Sequence, residues 1–175
     1  MVPTLWSAAR FTLPADQRPL ADRRDILVYQ TEPLAAPLEI AGYPEVVLHV
    51  QCSTPDTDLF ARLIDVAPDG RATDVAMGMV RARHRHGLDR ADFLAPDAVT
   101  DLRIRLRPTA VLFRPGHRIR LDVTSSDFPN YDRNHNTAAD ANSDSRLQRA
   151  RITLHSGGAR PSRLILPVTP TSASN

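Results

Sequence analysis

The chain has 175 residues, enough for one domain that buries roughly 70% of the surface its unfolded form exposes. Of these residues 42% are hydrophobic and 24% charged, which fits a soluble globular protein rather than a disordered or fibrous one. No run approaches the ~18 apolar residues that span a bilayer, so a membrane partner is not expected. The first residues, MVPTLWSAAR, lack the basic-then-apolar pattern of a signal peptide.

All 22 basic residues are arginine, and the net charge is only +2 because acids are interspersed among them. That spacing argues against the clustered basic stripe of a nucleic-acid binder. A single cysteine, Cys52, cannot close an internal disulfide, and the default is a reducing cytoplasm. Fifteen prolines against seven glycines, with little helical periodicity, lean towards a β protein with many turns.

Residues 1–24 carry Trp6 and Phe11 without a clean period and read as an extended arm. Ile26 to Thr31 is the first strand, rich in β-branched and aromatic side chains. Pro33 and Pro37 then make Leu34 to Ile40 an edge or kinked strand. Glu45 to Cys52 alternates, with Val46, Leu48, Val50 and Cys52 on one buried face. Leu59 to Val66 is apolar on both faces and is expected near the centre of a sheet. Ala67-Pro68-Asp69-Gly70 turns the chain into a strand over Asp74 to Arg85. Gly87 to Pro96 is a connection with a short helical turn at Asp89 to Phe93. Leu102, Ile104 and Leu106 face in while Arg103, Arg105 and Arg107 face out. Ile119, Leu121 and Val123 repeat the pattern against Arg118, Arg120 and Asp122, with Pro115-Gly116 closing the turn between the two. Ala138 to Ser145 is small and polar and is expected to move. Ala150 to His155 and Ser162 to Val168 are closing strands, and residues 171–175 are a frayed tail. Short strands at this spacing indicate an all-β sandwich or barrel, and the long crossing loops favour a jelly-roll or Greek-key sandwich.

Candidate chemistry is sparse. No G-x-S-x-G is present, and a triad assembled from Ser125 or Ser126 with His117 and Asp127 is a coincidence of common residues. His84-x-His86 puts two imidazoles on one strand face but lacks a third ligand. Asp56, Asp58 and Asp65 offer oxygens to calcium, yet Asp56 and Asp58 read more simply as turn residues. Alternating exposed arginines read as a solvated face. No cofactor and no metal site follow from these residues.

The densest chemistry is the loop after Val123. Asp127, Phe128, Asn130, Tyr131, Arg133, Asn134 and Asn136 crowd one segment there. Asn and Asp make local backbone bonds that stiffen a loop, and aromatic residues with Arg mark contact surfaces.

Consecutive blocks carry a resemblance: DQRPLADRRDILVYQTEPLAAPLEIAGYPEVVLHV, PDTDLFARLIDVAPDGRATDVAMGMVRARHR, PTAVLFRPGHRIRLDVTSSDFPNYDRNHNT and PSRLILPVTP. In order, they resemble the C-terminal non-catalytic domain of X-Pro dipeptidyl-peptidases, cocaine esterases and α-amino-acid ester hydrolases. The resemblance runs from about Val2 to Pro170 and implies one jelly-roll β-sandwich of the galactose-binding-like kind over residues 1–170. It further implies that the catalytic triad belongs to a separate α/β-hydrolase domain or subunit, the expected partner, and that this chain is inactive alone. The surface such a partner covers is then available to a homodimer, and Trp6, Phe11, Phe128 and Tyr131 are its candidate apolar contacts. In the family the loop tends to read Asn-x-Asn-Thr-Gly, and here Ala138 stands in place of the glycine, so an altered loop exit is expected. The alternative is a free-standing jelly-roll that binds carbohydrate or another small ligand, with or without calcium.

Overall fold

The computed structural model describes residues 16–140, 143–159 and 161–169. Trp6, Phe11, most of the expected arm and the tail from residue 170 lie outside them. Ten strands follow in chain order: β1 Ile26–Gln30, β2 Leu38–Gly42, β3 Glu45–Cys52, β4 Asp58–Val66, β5 Ala72–Arg81, β6 Val99–Arg105, β7 Thr109–Phe113, β8 Arg118–Thr124, β9 Ile152–His155 and β10 Arg163–Ile165. Every pairing is antiparallel.

One sheet has the order β1-β8-β4-β5. The second has β10-β3-β6, with β9 sharing the β10 side of β3: β10 pairs with residues 45–47 and β9 with residues 49–52. The two sheets form a β-sandwich. The expected inner face of β3 (Val46, Leu48, Val50, Cys52) meets Leu59, Ala61 and Leu63 of β4 and Ile119, Leu121 and Val123 of β8 in one apolar cluster. Leu102 and Ile104 of β6 join it, both fully buried. A small third sheet, β2-β7, buries Ile40 and Phe113 against the same core.

The sandwich is closed on one side and open on the other. At the β5/β6 side the layers approach so closely that a Cβ on Gly78 would overlap the Arg105 carbonyl oxygen. On the opposite side β1 and the β9/β10 pair diverge, and an apolar cleft of about 320 Å³ opens between Tyr29, Leu48, Leu121, Leu154 and Leu164. Register puts Leu27 and Tyr29 opposite the inward Val123 and Leu121, yet they are 47% and 39% exposed. Their inner-face position without burial marks the gap.

Four local expectations change. Pro115-Gly116 does not join paired strands: β6, β7 and β8 go to three different sheets, and β7 itself was not anticipated. The strand after Gly70 ends at Arg81, and a 3-10 turn, Ala82–His84, replaces the turn expected at Asp89 to Phe93. Val47 and His49 are buried as well as the inner residues of β3, because β3 is internal to its sheet and covered on both faces. Arg120 and Asp122 lie on the outer face as expected but are covered there: each is 4% exposed, and Arg120 holds Asp122 through two 2.7 Å bonds. β8 lies between β1 and β4, with Gln30 and Ile64 flanking Arg120. Alternation in one strand gives the two faces but not which of them is covered.

Candidate functional site

The loop that follows β8 runs back across the outer face of the first sheet. β4 needs cover there, since Phe60 and Ile64 point away from the sandwich core and are still buried. Tyr131 supplies part of it, edge-on to Phe60 with ring centroids 5.1 Å apart. The outer apolar face of β4 and Tyr131 of the loop are therefore two halves of one contact.

The loop is pinned by charge. Asp56 and Asp58 stand at the start of β4 and are almost completely buried. Asp58 takes a two-pronged bond from Arg81, opposite it in register, with both contacts at 2.9 Å. Asp56 accepts from the Arg83 backbone N–H at 2.8 Å and from its Nε at 2.7 Å. Between the carboxylates sits Asn134, whose Nδ2 donates to Asp56 Oδ2 at 2.8 Å and Asp58 Oδ1 at 2.7 Å. Two buried carboxylates are thus balanced by two partly exposed guanidiniums and one amide, the pairing under which buried charge is tolerated. Asp58 is the main reason the Arg81 guanidinium is held above its ordinary pKa, with Asp132 of the loop adding to it at 3.0 Å.

Arg83 also fixes the loop exit. Its Nη atoms donate to the carbonyls of Thr137 and Ala139, and its guanidinium lies 5.0 Å from the Phe93 ring. The left-handed residue is Asn136, at φ 58°, two positions before the Ala138 that replaces the family's glycine. Asn tolerates this conformation. Its backbone N–H donates to Asn134 Oδ1 and its side chain to the Gln148 carbonyl. At the other end, Asp127 accepts from the Asn130 side chain and, through its carbonyl, from the backbone N–H groups of Asn130 and Tyr131. The Phe128-Pro129 peptide is cis.

Of the seven residues singled out in this segment, Asp127, Asn130, Tyr131, Asn134 and Asn136 face inward bonds or packing. Phe128, 65% exposed, and Arg133 face solvent. Sequence reading missed the partners Arg62, Arg81 and Arg83, and it treated Asp56 and Asp58 as simple turn residues. The spacing alone does not give the pair: the turn sets Val66 opposite Ala72, and a bulge between Leu63 and Ile64 shifts the register by one residue, which brings Asp58 opposite Arg81.

The other candidates disperse. Asp65 pairs with His117 at 2.8 Å, away from Asp56 and Asp58. That same pairing occupies the histidine of the imagined triad. His117 precedes β8 and Ser125 follows it, so the strand's length, roughly 20 Å or more, separates them. His84 lies in the 3-10 turn and His86 beyond it, so they share no strand face. Among the described residues no group of three His, Cys, Asp or Glu is arranged to hold a metal ion, and no helix is long and apolar enough to cross a membrane.

Residues 5–165 match the family model described as the X-Pro dipeptidyl-peptidase C-terminal non-catalytic domain. The cocaine esterase of Rhodococcus sp. (strain MB1 Bresler) is 41% identical over 157 residues, 89% of this chain and 27% of that protein. Among solved structures, an aminopeptidase from the marine sediment archaeon Thaumarchaeota archaeon superposes with a TM-score of 0.82 at 34% identity, over 90% of this chain and 28% of that one. An α-amino acid ester hydrolase gives the same TM-score and coverage at 33% identity. The chain spans little more than a quarter of the length of these relatives. It belongs to the X-Pro dipeptidyl-peptidase C-terminal non-catalytic domain family.

Proposed function

We propose that this chain serves a serine hydrolase of the dipeptidyl-peptidase and acyl-esterase kind as an accessory domain. It packs on an α/β-hydrolase catalytic unit and lends residues 127–137 to the rim of that unit's substrate pocket. The sandwich is read as a jelly-roll, and a cytoplasmic setting is supported by the lone cysteine, Cys52, buried and unpaired. The observation that carries the proposal is the loop itself. Two buried carboxylates and two arginines are spent on holding it, while Phe128 and Arg133 are left pointing outward. A segment held this rigidly contributes contacts to a partner without the entropy cost of ordering on binding.

The test is hydrolysis of p-nitrophenyl esters and Ala-Pro-p-nitroanilide by the purified chain, run beside a thermal-shift screen with simple sugars and with calcium. No turnover and no shift are expected. Turnover abolished by a serine-directed inhibitor overturns the non-catalytic reading, and saturable stabilisation by a sugar or calcium replaces it with a free-standing binding module.

A further inference from the structure

The base of the same loop holds an arginine shared by two carboxylates that do not have equal claims on it. Arg62 of β4 donates from Nη1 to Asp74 Oδ2 of β5 at 2.7 Å, while its Nη2 lies 3.9 Å from Asp127 Oδ1 in the loop. The side chains of Arg62, Asp74 and Asp127 are each only 21–26% exposed. Asp74 Oδ1 is buried and has no hydrogen-bond partner among the described residues. An ionised carboxylate with one oxygen unsatisfied is the costly member of this cluster, and the proton it takes up lowers that cost by removing the buried charge.

We propose that Arg62 is an acid-sensitive latch on the loop: with Asp74 ionised the guanidinium stays on β5, and with Asp74 protonated it turns to Asp127 and clamps the loop base. The inference rests on the reading of residues 127–137 as a pocket rim and names a control on that rim. Uptake of one proton by the Asp74 carboxyl leaves Asp127, at 3.9 Å, as the ionised carboxylate beside Arg62 that no other arginine holds among the described residues. Asp127 is the residue whose carbonyl receives the Asn130 and Tyr131 N–H groups, at 2.8 and 3.3 Å, so drawing it towards β4 tightens the turn that seats Tyr131 on Phe60.

The surroundings agree with this order of events. Burial pushes the Asp74 carboxyl above its ordinary pKa; Arg62 and Arg107 oppose the rise, and Asp127 adds to it. Asp122, beside Arg62 in register on β8, is taken by the two-pronged bond from Arg120 and does not compete for Arg62. Asp16, which bridges to the neighbouring Thr73, is taken by Arg18 and by the Ala72 N–H. A carboxyl whose pKa is raised on folding binds its proton more tightly in the folded state. Its ionised form therefore costs stability at neutral pH, and the cost is relieved as the pH falls through its folded-state value.

Amide hydrogen exchange on the isolated chain tests this, because protection reports local opening of a bonded turn. The protection factors of the Asn130 and Tyr131 amides, already corrected for the intrinsic pH dependence of exchange, are expected to rise severalfold as the pH falls from neutral through the folded-state value of the Asp74 carboxyl. Asp74→Asn, which fixes the neutral state, is expected to give the high protection at every pH with no step. Asp127→Asn, which removes the receiving charge while leaving Arg62 on Asp74, is expected to give low protection with no step. A flat wild-type profile, or a step that survives Asp74→Asn, overturns the latch. The readout needs no partner, so a latch present in a chain that serves no hydrolase condemns the accessory reading alone, and a missing latch leaves that reading intact.

Discussion

Asn134 is a neutral amide between two buried carboxylates, and its removal takes a hydrogen bond from each of them. Asn134→Ala is expected to cost about 1–3 kcal/mol, the usual penalty for a buried polar group left unsatisfied, measured as a lowered denaturant midpoint with unchanged slope. Arg133→Ala, on the exposed side of the same loop, is expected to leave that midpoint unmoved. Arg120 and Asp122 make a second residue-scale case. Breaking their buried pair from one side, by Asp122→Leu or Arg120→Met alone, is expected to cost about 3–5 kcal/mol, whereas the double replacement recovers most of the loss. Chemical denaturation of the two single variants and the double measures this coupling directly. Asn134 was visible in the sequence as part of a dense polar segment. Its partners were not, because Asp56 and Asp58 are far from it along the chain and meet it only through tertiary folding. The burial of Arg120 was not legible for a related reason: one strand's alternation gives its face but carries no information about what covers it.

At the level of elements, the strands with unbroken apolar runs were the legible ones, the edge strand β1 among them. β3 and β4 have the bounds expected or differ by one residue, because long runs of β-branched and aliphatic side chains mark them. The short peripheral strand β7 was missed, since Thr109–Phe113 is flanked by prolines and its partner β2 is equally short. Gly78 carries the clearest prediction at this scale. It lies inside β5, where glycine has no propensity to recommend it, and its hydrogen faces the Arg105 carbonyl of the opposite layer. Gly78→Ala is expected to force the two sheets apart at their closed side, with a loss of about 1–3 kcal/mol and a lower thermal midpoint. A neutral outcome would show that the layers are less closely seated there. The long loop was legible as a display element. That it also serves as the outer cover of β4 was not, because cover is a property of two distant segments together.

For the molecule as a whole, the arrangement joins a sandwich closed at β5/β6, a rigid loop over its outer face, and an open side at β1. The chain belongs to the domain family described as non-catalytic, and it matches about a quarter of the length of relatives named as a cocaine esterase and an aminopeptidase. The central claim is that residues 127–137 act on a hydrolase pocket through their fixed shape. It is tested most directly by a chimera of the Rhodococcus cocaine esterase in which the 157-residue matching segment is replaced by its counterpart from this chain. Ester hydrolysis by the chimera should be retained. Asn134→Ala, introduced into the chimera, should lower kcat/KM more than Gly78→Ala does at temperatures where both variants remain folded. A folded chimera with no activity, or one equally indifferent to both substitutions, would contradict the account.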